Sequence, residues 1–202
     1  MITTLEQRIE AKEQFLSWKD KQPNFLKRNE SYDPRNNIVA ILGKKEGKSL
    51  IPKWIFGKNI VTDDGDIYYA LKGAGETPAT NENFIQGRME LRTGTATPAK
   101  GDTYTSVTTP VTASRETISA TYPKTNDTGD ADNTGDAIDA VSYQHDWTAA
   151  AFSATAIIGG AIHDNASPVG GTKLLTHFSI TSFDKTTSDT LKIFTNHTVN
   201  GV

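Results

Sequence analysis

Hydrophobic and polar positions divide the chain into a helical pattern near its start and a longer series of β patterns after it. Apolar side chains recur at helical spacing over residues 3–21 and form a broad stripe. Thr3 and Glu6 fit a capping box at the start of this predicted helix, and Pro23 ends it. An isolated helix of this length is marginal in water, so the stripe needs a partner surface, on its own domain or on another chain. The candidate partner-binding residues are Leu5, Ile9, Phe15, Leu16 and Trp18.

The pattern changes to short apolar runs after a polar, turn-rich linker at residues 22–37. The runs "IVAIL" (38–42) and "SLIPKWIF" (49–56) predict two strands of a hairpin, joined by a Gly- and Lys-rich turn. The stretch Asp63-Asp64-Gly65 stands between "KNIVT" and "DIYYAL". Because an Asp-Gly pair between two such runs is a strong turn signal, we predict a second hairpin there.

Threonine is frequent from residue 93 onward, and its branched Cβ suits a half-exposed pleated surface. Alternating patterns predict strands at "TISATY" (117–122), "LLTHFSIT" (174–181) and "TLKIFTN" (190–196). We interpret residues 146–161 as a strand too, although their alanines favour a helix. Short strands separated by Gly, Pro, Asn and Asp clusters indicate a β-sandwich or barrel. We therefore divide the chain into a helix and linker (1–37), interpreted as a docking arm, and a β domain (38–202).

Composition narrows the function classes more than it narrows the fold. The 202 residues carry a net charge of −3 and are 36% hydrophobic, values that are typical of a soluble protein and do not by themselves suggest a nucleic-acid or membrane partner, so we predict neither. The absence of cysteine removes disulfides, thiolate metal sites and cysteine nucleophiles. The polar N-terminal stretch predicts no signal peptide, and no apolar run reaches the ~20 residues of a membrane helix.

Charge is distributed unevenly along the chain. Residues 1–58 hold 12 Lys and Arg against 7 Asp and Glu, a net +5, and residues 59–202 hold 9 against 17, a net −8. A basic front and an acidic back attract each other within one chain or between neighbouring copies. The alternative is two separately solvated faces, since exposed pairs contribute little.

The stretch "ILGKKEGKS" suggests a phosphate-binding P-loop, but it departs from that motif. Only three residues separate Gly43 from Gly47, whereas the motif needs four to wrap backbone amides around a phosphate. The motif must also open a helix, and here "LIPKWIF" follows. A hairpin turn with solvated lysines is the better interpretation. The mixture of lysines with Trp54 and Phe56 also suggests a single-stranded nucleic-acid surface, but these aromatics fit a core face.

The acidic stretch "NDTGDADNTGDAID" (126–139) suggests a calcium loop. Asp130, Asp132 and Gly135 match EF-hand positions 1, 3 and 6, but Val141 occupies position 12, which requires a bidentate carboxylate. An EF-hand is therefore excluded. A looser calcium site built from Asp127, Asp130, Asp132 and Asp136 remains open beside the alternative of an exposed Asp- and Gly-rich turn.

Other catalytic patterns find no support in the sequence. The histidines, at positions 145, 163, 177 and 197, have no zinc-site spacing, and no G-x-S-x-G elbow presents a serine nucleophile. Asp63, Asp64 and Asp66 are better explained as turn formers than as glycosidase carboxylates. We therefore predict no catalytic residues, no cofactor and no bound metal, and the residues alone indicate a β-rich domain with a helical arm.

Four stretches of the second half are similar to small structural proteins of tailed bacteriophages. They are "WIFGKNIVTDDGDIYYALKGAGETPA", "MELRTGTATPAKGDTYTSVTTPV", "RETISATYPKTND" and the final "SDTLKIFTNHTVNGV". The resemblance covers about residues 54–202 and includes a G-T-x-T-P-A-x-G-D stretch. It implies a virion component with a jelly-roll-like antiparallel β-sandwich, present in many copies and assembled in the bacterial cytoplasm. It carries over no catalytic residues.

The resemblance leads to three functional hypotheses. The first is a non-enzymatic capsid decoration or cement protein that binds the shell as an oligomer, with other copies of itself and the major capsid protein as partners. The second is a tail, head–tail connector or host-contacting fibre component. The third is a carbohydrate-binding β domain. Copy number per particle separates the first two hypotheses, and a glycan array tests the third.

Overall fold

The computed structural model describes residues 37–47, 49–79, 83–84, 87–125 and 140–198. The predicted N-terminal helix, with its candidate residues Leu5, Ile9, Phe15, Leu16 and Trp18, lies outside these ranges. The candidate calcium loop Asp127–Asp136 lies outside them as well. Both therefore stay predictions from the sequence.

The described residues form a mainly β fold with one α-helix and two single-turn 3-10 helices. Nine strands pair antiparallel throughout, in the order β4-β3-β7-β8-β2-β1-β9-β6-β5. The strands are β1 (Asn37–Glu46), β2 (Ser49–Val61), β3 (Arg88–Arg92), β4 (Pro110–Thr117), β5 (Lys124–Thr125), β6 (Ala140–Trp147), β7 (Ala154–His163), β8 (Leu174–Lys185) and β9 (Thr190–Thr198). The helix α1 spans Asp63–Gly73, and the 3-10 turns are Tyr104–Ser106 and Ala149–Ala151. No helix within the described ranges is long and apolar enough to cross a membrane.

The single sheet curls into a half-barrel, so that strands near its two ends approach each other. The indole N–H of Trp147 on β6 donates to the carbonyl of Ser114 on β4 at 2.7 Å. Beside this contact, the backbone N–H of Ser119 donates to the carbonyl of Gln144 at 2.8 Å. The mainly β, antiparallel prediction is confirmed. One curled sheet takes the place of the two stacked sheets that the sandwich prediction called for.

Curling gives the sheet an inner and an outer face, and both carry apolar residues. The inner cluster includes Ile38, Ala40 and Leu42 from alternate positions of β1, and it continues across the neighbouring strands. The outer cluster consists of Val39, Trp54, Phe56 and Phe194, with Ile41 and Tyr122 packed against it. Burial of a Leu, Ile or Phe side chain contributes ~1.5–3 kcal/mol, so strands buried on both faces anchor the sheet.

The first predicted hairpin is confirmed. β1 and β2 pair in continuous register from Asn37 opposite Lys58 to Glu46 opposite Ser49. Gly47 in the turn has φ +61°, a conformation that L side chains rarely adopt. Gly43 lies inside β1 opposite Pro52 and is therefore part of a strand, as the hairpin interpretation requires.

The second predicted hairpin is wrong, because Asp63-Asp64-Gly65 begins helix α1. Thr62 caps this helix by accepting a hydrogen bond from the N–H of Gly65 at 3.2 Å. Thr62 is itself fixed to β8, since its N–H donates to Leu175 O at 3.2 Å and its hydroxyl donates to Leu174 O. The aspartates in the first turn face the positive end of the helix dipole. The acidic residues are thus helix formers here and do not form the predicted hairpin turn.

The remaining strand predictions have mixed outcomes. β8 and β9 confirm the strands predicted at "LLTHFSIT" and "TLKIFTN". The strand predicted at "TISATY" is wrong: β4 ends at Thr117, and the N–H of Tyr122 donates to Ser119 O in a turn. The interpretation of 146–161 as one strand is correct from Ala154 onward. It is wrong for residues 148–153, where a 3-10 turn separates β6 from β7.

Candidate functional site

Two regions hold the functional candidates: a layer of buried polar side chains and the projecting tip of the β1–β2 hairpin. The polar layer lies on one face of β3, β7 and β8, where the register places Glu90 beside Ala161 and Ala161 beside His177. Directly opposed residues share a face of a sheet, so these three side chains form one cross-strand row. The next row along β3 contains Arg92, Gly159 and Ser179.

Glu90 is fully buried and receives hydrogen bonds from two other elements. Nε and Nη2 of Arg115 lie 3.2 and 3.0 Å from its Oε2, and the Tyr104 hydroxyl donates to the same oxygen at 2.9 Å. His163 Nε2 lies 3.5 Å from that oxygen. Burial opposes ionisation, but the hydrogen bonds from His163, Tyr104 and Arg115 outweigh it and lower the pKa of Glu90. The ionised carboxylate of Glu90 therefore accepts hydrogen bonds that link β3 to β4 and to the 3-10 turn of Tyr104.

Asp102 and His177 form a second pair, with 2.6 Å between Oδ2 and Nδ1. Burial lowers the pKa of His177, and the hydrogen bond from His177 helps to hold the pKa of Asp102 below its usual range despite burial. This geometry matches the Asp–His half of a hydrolase triad. However, Nε2 of His177 is buried without a hydrogen-bonding partner in the described part of the chain. The observed role of the pair is to join the loop of Asp102 to β8.

Arg92 is a buried cation held by neutral oxygens. Its guanidinium donates to the carbonyls of Gly94, Ala96 and Phe178 and to the Ser179 hydroxyl, the last at 3.0 Å. Burial lowers the pKa of Arg92. The side chain lies across Gly159, where an added Cβ would approach Cζ of Arg92 to 2.8 Å. Arg92 thus fixes the loop that follows β3 against β8.

A shallow groove of about 450 Å³ lies above Arg92. Its other lining residues are Thr95, Ala96, Thr97, Ile158, Ser179 and Ile180. The hydroxyls of this groove are polar, but the Arg92 guanidinium already donates to four protein oxygens. Because those donors are already used, Arg92, the one charged residue that lines the groove, has little capacity left to bind a ligand.

The four histidines are all buried, and each has different neighbours. Inside the half-barrel, His197 Nδ1 lies 2.5 Å from the Tyr69 hydroxyl, and His145 Nε2 lies 3.2 Å from Gly87 O. Burial lowers the pKa of His197 to about 3 and the pKa of His145 to about 4, so both rings are neutral near pH 7. Among the described residues, no three His, Asp or Glu side chains are grouped so as to hold a metal ion.

The tip of the β1–β2 hairpin projects beyond the rest of the sheet. β9 pairs with β1 only over Ile38–Gly43, and β8 pairs with β2 only over Gly57–Val61. At the tip, the side chains of Leu50 and Ile51 are 54% and 46% exposed. The described residues include only four large hydrophobic side chains that are this exposed, and two of them are neighbours in the projecting part of β2.

Lysines flank this exposed apolar pair. Lys44 pairs with Asp189 at 3.2 Å, whereas Lys45 and Lys53 have no ion-pair partner among the described residues. Farther down the same hairpin, Trp54 and Phe56 are buried in the outer cluster, which confirms their interpretation as core residues. The exposed tip therefore combines apolar area with positive charge.

Sequence reasoning found none of the described candidate sites in full. It placed the hairpin and its lysines correctly but did not single out Leu50 and Ile51, whose signal is an apolar pair inside a Lys-rich turn. The polar layer joins residues far apart in the sequence, such as Asp102 and His177, which no local motif links. No family model, curated protein or solved structure matches the chain.

Proposed function

We propose that the chain is a non-enzymatic structural protein of a tailed-bacteriophage virion, of the decoration or cement kind, that binds the capsid shell as an oligomer. The observation that carries the proposal is the projecting hairpin, which presents Leu50 and Ile51 to solvent near Lys45 and Lys53, two lysines with no ion-pair partner among the described residues. Exposed apolar side chains on a projecting hairpin favour association with another protein. The resemblance of residues 54–202 to phage structural proteins supplies the virion as the setting.

The buried polar layer supports the same proposal, because its contacts stabilise the fold. The carboxylate of Glu90 and the guanidinium of Arg92 are each enclosed by protein donors or acceptors, so they fasten loops to the sheet. A cement protein needs such a rigid body, because it resists distortion of the shell on which it lies. On this proposal the predicted arm (1–37) contacts the shell, through the stripe that contains Phe15 and Trp18.

The test is quantitative mass spectrometry of purified phage particles from the host culture that produces this chain. A decoration protein is expected at hundreds of copies per particle, in a fixed ratio to the major capsid protein. Tens of copies or fewer would assign the chain to the tail or connector instead. Absence from the particle would refute the virion proposal, and selective binding on a glycan array would then favour a carbohydrate-binding domain.

A further inference from the structure

We infer that the strap, defined as residues 93–109 between β3 and β4, opens from the outer face of the sheet as one unit while the sheet stays paired. The strap contacts His177, which alternates along β8 with Phe178 of the inner cluster and therefore lies on the outer face. The inference concerns the domain by itself and goes beyond the proposed function. Its test uses the isolated protein, so it can fail while the virion assignment stands.

The strap leaves and re-enters the sheet at one point. Arg92 at the end of β3 is opposite Pro110 at the start of β4, and the N–H of Thr93 donates to Thr109 O at 3.2 Å. The two ends are therefore held together, as in an Ω-loop. The strap can move away from the sheet about this fixed base without breaking the pairing of β3 with β4.

Little apolar area holds the strap closed. Within residues 93–109 only Val107 is buried, in a small cluster with Ala161 and Leu174 against which Tyr104 packs. Local opening free energies are lowest where few apolar contacts are buried. The strap is therefore expected to open at a lower free energy than the sheet.

Polar side chains of β3 and β8 hold the strap closed at three points. Arg92 of β3 donates to two carbonyls near the start of the strap. Asp102 in its middle lies 2.6 Å from the ring of His177 on β8. Two residues later, the Tyr104 hydroxyl donates to Glu90 of β3 at 2.9 Å. Because these contacts are spread along the strap and all must break before it leaves the sheet, opening involves the whole segment.

The closed strap also leaves buried ring nitrogens without hydrogen bonds. Nε2 of His177 and Nδ1 of His163 have no partner in the part of the chain that the structure describes. A buried polar atom without a partner costs free energy that is recovered when water reaches it. Opening the strap admits water to this face of β7 and β8, which offsets part of the contacts that are lost.

Acid favours the open strap. The charged and titratable groups that neighbouring elements place on the face of His177 or beside the strap are Asp102 of the strap, Glu90 and Arg92 of β3, His163 of β7, Lys58 of β2 and Asp63 at the start of α1. Burial lowers the pKa of His177 from its ordinary value of 6.5 while the strap is closed. Hydration in the open state restores that value, so the open state binds more protons below about pH 6.5 and gains population as the pH falls.

The experiment is native-state hydrogen exchange of the full-length chain at increasing urea below the unfolding transition. The reporters are the backbone amides of Ala99, Tyr104 and Val107, each of which is hydrogen-bonded in the closed strap. We expect the three to share one opening free energy, and that value to lie below the one for the β1 amides in the segment that pairs with β9. Exchange only when the sheet unfolds, or three different opening free energies, would overturn the inference.

Two variants test whether distant parts of the strap open together. Tyr104→Phe removes the hydrogen bond to Glu90, and Asp102→Asn weakens the pair with His177. Thr97→Ala is the matched control, because Thr97 is exposed in the same strap and makes none of these contacts. Thermal melting shows whether each variant folds, and the urea series on the wild type decides the inference if one does not.

Each variant is read at the amide that lies beyond the other contact. We expect Tyr104→Phe to speed exchange at Ala99 as much as at Val107, by about 10- to 100-fold. Asp102→Asn should likewise speed exchange at Val107, and the control should change neither rate by more than about twofold. Acceleration confined to the residues next to each substitution would show that the strap frays piece by piece and would overturn the inference.

The acid response is measured at the same amides at pH 7 and pH 5, after correction for intrinsic exchange rates. We expect the protection of the strap to fall, by up to about 30-fold if His177 alone takes up the proton. His177→Gln should lose most of this change. Equal protection of the wild type at both pH values would refute the acid response.

Discussion

Charged side chains usually lie on a protein's surface and large apolar side chains in its interior. The buried polar layer and the hairpin tip show the opposite arrangement. In the layer, charged groups such as Glu90 and Arg92 are enclosed and find their partners within the chain. At the tip, Leu50 and Ile51 are exposed beside lysines that lack ion-pair partners among the described residues. Charges satisfied internally hold a fold together, whereas apolar side chains presented to water are available to another molecule. The contrast separates a region that stabilises the fold from a region that leaves apolar side chains exposed to water.

The largest expected effect comes from breaking the polar layer at its centre. Glu90→Gln removes the charge that Arg115 and Tyr104 contact and leaves the Arg115 guanidinium largely uncompensated. We expect the free energy of unfolding to fall by about 3 kcal/mol, the low end for a broken buried pair because Arg115 is partly exposed. Urea denaturation measures this loss. Glu116→Gln is the control, with an expected change within about 0.5 kcal/mol, and a loss that small at Glu90 would contradict the stabilising role.

A second, smaller effect is expected where Arg92 crosses the sheet. Gly159→Ala places a Cβ 2.3 Å from Phe178 O and 2.8 Å from Arg92 Cζ. Overpacking of this kind costs about 1–3 kcal/mol. The matched control is Gly171→Ala, because an added Cβ there meets nothing within 4 Å. Thermal melting of both variants measures the difference, and equal melting temperatures would show that Arg92 has room to move.

We expect the free energy of unfolding to fall gradually as the pH is lowered. Burial lowers the pKa of His197 to about 3 and that of His145 to about 4, while both take up protons near pH 6.5 in the unfolded chain. The unfolded state therefore binds more protons between about pH 6.5 and pH 4, so stability falls as the pH is lowered through that window. His197→Gln should reduce the slope. Urea denaturation at about pH 7 and pH 5 measures it, and an unchanged slope in the variant would exclude His197 as a contributor.

The smallest expected effect on stability lies at the hairpin tip. Leu50→Ser with Ile51→Ser changes two side chains that are about half exposed. Both lie in the part of the hairpin that β8 and β9 do not pair with. We expect the free energy of unfolding to change by less than about 0.5 kcal/mol, measured at concentrations where the wild type is monomeric. A loss of more than about 2 kcal/mol would show that the tip contributes to the stability of the fold.

The elements that were predictable from the sequence are those whose pattern is local. The β1–β2 hairpin, β8 and β9 follow from apolar alternation and a glycine turn, because pleated strands point neighbouring side chains to opposite faces. The burial of Trp54 and Phe56 followed from the same alternation. In these segments, local preference and the final fold agree.

Tertiary structure decided the rest, because the deciding contacts lie far away in sequence. Thr62 caps α1 while bonded to Leu174 and Leu175, more than a hundred residues later, so an Asp-Gly signal for a turn became the start of a helix. Asp102 meets His177 only because the loop after β3 folds over β8. The exposure of Leu50 and Ile51 depends on where β8 and β9 stop pairing with the hairpin. Local sequence thus determined which segments could form strands, and long-range pairing determined which side chains the sheet buried and which it left in water.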